Sequence, residues 1–359
     1  MAQAESDEKR RSKSRSHPQP YSPSWVNHLT AWVDRRSWPS WSWYLGLWLI
    51  LVIVLVAALW IEGVHPVGKV FPAQLFMPAM IALFLAMIHF LDNRAEAALT
   101  TLRPALKATE EEYDQLRYQL TTLPAWPTIL ASLATMAAIY LIGFLTGETD
   151  SALEALAGSP IAATLVWIVY WIGWWVFGAF AYHSIHQLRQ IDYIYSRHTR
   201  IRLFAMSPLY AFSPVTALTA VTLAIATYGW TALNPDNLTN PVSIALILLI
   251  NGLALVVFAW PLLGTRRMLA KEKAQRLDQV SLRLEGVFSQ MHERIDRGEI
   301  EGLEDLTKVM SVLETERDTL EAISTWPWQP ETLRYLVTAL LLPLLLWIIQ
   351  YVVQLVVGS

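Results

Sequence analysis

His183-Ser184-Ile185-His186 places two imidazoles three residues apart, close enough on a helix to share one face. Asp192 and His198 follow within the next turns, and His89 offers a further nitrogen from elsewhere in the chain. Two such rings with a third ligand are what a tetrahedral metal centre requires, so His183, His186 and His198 are the candidate ligands. The competing reading is that they are hydrogen-bonding side chains at a membrane edge. The chain holds 8 His and no Cys, whereas membrane-bound di-iron desaturases and hydroxylases carry His in greater number and in denser clusters. A phosphate-binding Gly loop, a nucleophile elbow, a His-Glu-x-x-His pair and a dinucleotide fingerprint are all lacking. The expectation is therefore a non-enzyme with no catalytic residue, no resident metal and no cofactor.

Two further groups carry chemistry. Arg189, Arg197, Arg200 and Arg202 are interleaved with Tyr193, Ile194, Tyr195 and Ile201, as on a helix lying along lipid headgroups. Bidentate guanidinium contacts would suit an anionic lipid or a phosphorylated ligand there; the plainer alternative is charge that only sets topology. The second group is uncharged. Thr219 and Thr222 in one apolar run and Asn251 in the next either line a pathway or hold helices together. Trp167, Trp171, Trp174 and Trp175 could likewise stack a flat apolar ligand, or pack one helix on another.

The elements that must position these residues are membrane spans. Of 359 residues, 54% are hydrophobic and 16% charged, with 17 Trp, whereas a soluble domain carries about a quarter charged residues. Apolar runs of the roughly twenty residues needed to cross a bilayer recur along the chain. Seven segments qualify: Trp43–Ile61, Phe71–Leu91, Pro124–Leu145, Ile161–Tyr182, Val215–Trp230, Val242–Leu263 and Tyr335–Val357. The fold class is an all-α polytopic membrane bundle of about seven helices. With the N-terminus inside, the connections 62–70, 147–160 and 232–241 face outward and hold one of the 27 Lys and Arg residues, Lys69. That bias is the positive-inside pattern, and it puts the C-terminus outside. No Asp, Glu, Lys or Arg lies across the middle of any span, which disfavours proton- or sodium-coupled transport.

Outside the spans, 1–42 is basic and rich in Ser and Pro, with too little apolar surface to fold alone, and reads as a disordered cytoplasmic tail. Segments 92–123 and 183–213 read as cytoplasmic helical pieces, the first broken at Pro104. In 264–330 the apolar residues Leu277, Val280, Leu284, Val287 and Met291 recur at spacings of three and four. Arg297-Gly298 interrupts, and Leu303, Leu306, Met310, Leu313 and Leu320 resume the rhythm. This predicts an antiparallel, coiled-coil-like hairpin whose first arm reaches roughly 40 Å into the cytoplasm. Arg317 falls on the seam, which predicts splaying or solvation there. With 13 carboxylates against 10 cations, the region is not a nucleic-acid surface. Residues 120–130 and 323–333 align on two prolines, either by internal duplication or because any helix re-entering a bilayer needs such breaks.

The stretch Thr325-Trp-Pro-Trp-Gln-Pro-Glu-Thr-Leu-Arg334, with Pro343 and Trp347 beyond, resembles the closing segment of prokaryotic multi-pass proteins that carry a cytoplasmic helical hairpin. The likeness covers about 60 residues, from Asp296 onward, and implies architecture and a prokaryotic plasma membrane, but no site residue. Three functions are then in play. The first is a non-enzymatic membrane module whose hairpin, 264–325, docks a cytoplasmic partner or a second copy. The second is a channel or uniporter along the fifth and sixth spans, and the third a His-ligated metalloenzyme at the inner interface.

Overall fold

The structure is a computed structural model that describes residues 19–146, 158–199, 210–233, 241–299 and 302–325, and beyond them only 334 and 338. The described residues form helices and no strand. In chain order these are α1 (Trp25–Asp34), α2 (Ser40–Ile61), α3 (Pro72–Leu102), α4 (Glu110–Thr121) and α5 (Ala125–Thr146). They continue with α6 (Pro160–Tyr193), α7 (Ser213–Leu233), α8 (Pro241–Asp296) and α9 (Leu303–Ala322). Five of them, α2, α3, α5, α6 and α7, are long and apolar enough to cross a membrane, and the protein is a membrane protein. The sixth expected span, Val242–Leu263, lies within α8, and the seventh, Tyr335–Val357, lies outside the described residues apart from Thr338. So does most of the second of the two aligned proline segments.

The N-terminal region corrects the expectation of a disordered tail over 1–42. Residues 1–18 are not described, but 25–34 form α1. Its Val26, Thr30 and Val33 recur at helical spacing and are buried, while His28 and Trp32 face away. Ser24 caps the helix, its hydroxyl accepting from Asn27 N–H. Averaged composition over 42 residues hid an apolar stripe confined to ten.

Elsewhere the helix ends follow local chemistry. α4 begins with a capping box in which the Thr109 hydroxyl accepts from Glu112 N–H and the Glu112 carboxylate accepts from Thr109 N–H. Pro104 turns the end of α3 into a short 3₁₀ segment, Arg103–Ala105. At the far end of α2, the Glu62 carboxylate accepts from the N–H groups of Ile161 and Ala162, at 3.1 and 2.7 Å, supplying the first turn of α6 with acceptors.

The chain divides into two compact units. The first comprises 1–96, 108–190 and 225–246, and the second 97–107, 191–224 and 247–359. In the first, α5 and α6 approach closely: a Cβ on Gly178 would lie 2.7 Å from Ser132 Cα, and the Ser132 hydroxyl donates to the Trp175 carbonyl at 2.9 Å. Small residues bring backbones together where lipid supplies no hydrophobic drive. In the second, α8 passes against the end of α6, where a Cβ on Gly264 would meet the Asp192 carboxylate. The expected seam positions of α8 and α9 are the covered ones there, with Val280, Leu284, Leu313 and Leu320 buried. Lys273 Nζ, on α8, donates to the carbonyls of Glu321 and Ile323, at 2.8 and 2.9 Å. Arg317 is about half exposed and paired with Glu321 at 2.9 Å, one turn along α9.

Candidate functional site

Polar side chains in the first unit gather at one end of α2, α3 and α6. His183 and Asp92 face each other between α6 and α3, 2.8 Å apart, both buried. The His183 Nε2–H donates to the carboxylate, and Gln187, one turn on, adds a weaker contact at 3.4 Å. His183 Nδ1 is buried and has no hydrogen-bond partner. One turn before Asp92, His89 Nδ1 is hydrogen-bonded at 2.9 Å to the Tyr44 hydroxyl of α2, also buried. His89 Nε2 comes within 2.9 Å of the Asp34 carboxylate at the end of α1, without the alignment of a hydrogen bond. Asp34 is 59% exposed, so this cluster runs from solvent to the buried pair.

The pair is a device for burying charge. A lone carboxylate placed there would cost several kcal/mol, and hydrogen bonds from His183 and Gln187 offset that cost. Asp92 also fixes which His183 nitrogen carries the proton, leaving Nδ1 as the bare acceptor. Such an arrangement ties α3 to α6 and orients an imidazole.

A second group sits at the entrance to α5. Tyr21 donates its hydroxyl to the Thr122 carbonyl at 2.8 Å, and Tyr118 donates to the Tyr21 carbonyl at 2.7 Å. Asn27 bridges the same junction: its Nδ2 donates to the Thr121 carbonyl and its Oδ1 accepts from Leu123 N–H. His186 Nε2–H donates to the Gln119 carbonyl at 2.9 Å and lies near the Tyr21 hydroxyl. Burial pushes the Tyr21 hydroxyl well above its ordinary range, and the neighbouring Tyr118 adds to the effect. The whole arrangement straps residues 21–27 across the α4–α5 turn.

The expected residues fare differently. His183 and His186, though on one face, are committed to Asp92 and to Gln119 respectively, so they do not converge. His198 belongs to the second unit, on a π turn after α6, with its ring 5.2 Å from that of Tyr193. Among the described residues no group of three or more His, Cys, Asp or Glu is placed to hold a metal. Arg189 and Arg197 are exposed, and Arg200 and Arg202 lie outside the described residues. Thr219 and Thr222 are buried, and each hydroxyl donates to the carbonyl four residues earlier, Val215 and Leu218. Asn251 lies in α8, its side chain outside the described ones. Of the four tryptophans singled out on α6, Trp167 and Trp171 stack on each other at 6.3 Å, with Tyr170 of the same helix edge-on to both.

Sequence reasoning missed Asp92, Tyr44 and Asp34. Asp92 closes the second apolar run, and its partner is 91 residues away. A signal did exist: His89 and Asp92 stand three apart at the end of a span, as do His183 and His186. No protein-family model, no curated protein and no solved structure matches this chain.

Proposed function

We propose that the protein is a non-enzymatic multi-pass module of a prokaryotic plasma membrane whose cytoplasmic helical hairpin, 264–325, mediates assembly or signalling. The observation that carries this reading is α8. It runs unbroken through 56 residues, about 84 Å at 1.5 Å per residue, from an apolar half into a charged one. A helix that continues from an apolar half into a charged one links the two covalently, with Pro261, which lacks an N–H for the helix ladder, as the place where it can bend. The Lys273 contacts and the buried seam leucines support α9 as the returning arm.

The outer surface of the two arms supports a docking role. Leu282, Phe288, Ile295, Val309 and Val312 are exposed apolar side chains on otherwise charged helices. The pathway reading draws no comparable support, since the Thr219 and Thr222 hydroxyls are satisfied within their own helix, as packing residues are. The separate commitments of His183 to Asp92 and of His186 to Gln119 likewise give the metalloenzyme reading no support. The exposed Arg189 and Arg197 suit anionic lipid along the inner headgroups.

The chain has no Cys, so one introduced thiol reports alone. Val312→Cys in the full chain, treated in native membranes with an oxidant or a bis-maleimide, should yield a species at twice the chain mass or a defined adduct with a cytoplasmic protein. Monomer alone with both reagents contradicts the docking role.

A further inference from the structure

We infer that the outer face of α1, with the turn that follows it, binds the headgroup of an anionic phospholipid. The inward stripe of α1 is Val26, Thr30 and Val33, and the opposite stripe is His28, Trp32, Arg35 and Arg36, all exposed. Trp32 is 42% exposed, and Trp38 and Trp41, in the turn and at the start of α2, are 69% and 65% exposed. A soluble surface does not present three indoles within ten residues without something to cover them. In this chain α2 is long and apolar enough to cross a membrane from Ser40, which puts Trp38 and Trp41 where a bilayer would begin. Indoles favour that layer because one edge is apolar and the N–H wants a polar neighbour.

The charges choose the ligand. The Arg36 guanidinium lies over the Trp32 ring, 4.7 Å from its centroid, and a guanidinium braced on an indole suits a bidentate acceptor. The nearest carboxylate in sequence, Asp34, is turned to His89 at 2.9 Å, and among the described residues neither Arg35 nor Arg36 has a carboxylate partner. From Arg35 to Ile61 the sequence holds no Asp or Glu. Two uncompensated guanidiniums, one of them braced on an indole, beside two interfacial tryptophans, match a phosphodiester with acyl chains attached. The inference stands whichever partner the 264–325 segment takes.

Native mass spectrometry of the detergent-solubilised full chain tests this, with phosphatidylglycerol and phosphatidylcholine of identical acyl chains as probes. At about 1 kcal/mol for each Arg near an anionic lipid surface, phosphatidylglycerol should be retained about thirtyfold better, and Arg35→Gln with Arg36→Gln should remove the preference. Arg36→Lys, which keeps the charge and loses the planar fork, should lose part of it. Equal retention of the two lipids, an unchanged preference in the double variant, or glycerol phosphate competing as well as the intact lipid would each overturn the inference. If the double variant melts early without added lipid, Trp38→Leu on the turn reads the same site: a several-fold loss of phosphatidylglycerol supports it, and unchanged retention overturns it.

Discussion

Asp92 and His183 show how far two side chains can bind helices together. Each is buried, each comes from a helix long enough to span a membrane, and each would be left uncompensated without the other. Asp92→Ala should therefore lower stability by about 1–3 kcal/mol, and a double-mutant cycle with His183→Gln should show coupling of about 0.5–3 kcal/mol. Thermal unfolding of the solubilised protein measures both; additive losses would mean that the two do not act as a pair. Tyr21 makes a prediction of opposite character. Its hydroxyl is protonated in the strap and held so by burial, so its ionisation lies higher in the folded state than in the free chain. The stability it contributes is complete below the ordinary tyrosine value of 10.0 and falls as pH rises beyond it. Limited proteolysis near residue 20 should accelerate above about pH 10 in the native protein, and Tyr21→Phe should blunt that response. The pair was not legible in the sequence because only the middles of the spans signal an intramembrane charge. Asp92 stands at the last turn of its span, where a carboxylate looks cytoplasmic until folding brings His183 to it.

At the scale of elements, backbone proximity decides what can change. Gly178 lets α6 pass within van der Waals contact of Ser132, and a methyl group there meets main-chain atoms, which cannot rotate away. Gly178→Ala should cost about 1–3 kcal/mol by forcing α5 and α6 apart, whereas Gly252→Ala, with nothing within 4 Å, should be nearly silent. Paired thermal-shift measurements check this, and equal effects at the two glycines would contradict the close crossing. The periodicity of α8 and α9 was readable directly: Leu277, Val280 and Leu284, then Leu306, Met310 and Leu313, are buried or half-buried as a 3-and-4 spacing requires. α1 was not readable in the same way. A ten-residue helix inside a Ser- and Pro-rich run is marginal by itself, and α1 is held by Ser24, Asn27 and Tyr21 acting on residues about a hundred positions away.

For the molecule as a whole, hydropathy revealed the membrane helices because a span must carry its apolar signature locally, all five described ones included. The polar cluster at their ends is assembled from α1, α2, α3 and α6, and no local pattern announces it. The distribution of cations carries the remaining claim, that the charged half of α8 projects into the cytosol and presents its outer face there. Gln290 is exposed on that half, and the protein has no cysteine to compete with a probe placed at this position. In intact cells, Gln290→Cys should resist a membrane-impermeant maleimide and become labelled once the membrane is opened. Labelling before the membrane is opened would place α8 and α9 on the outer face and contradict the proposed cytoplasmic docking role.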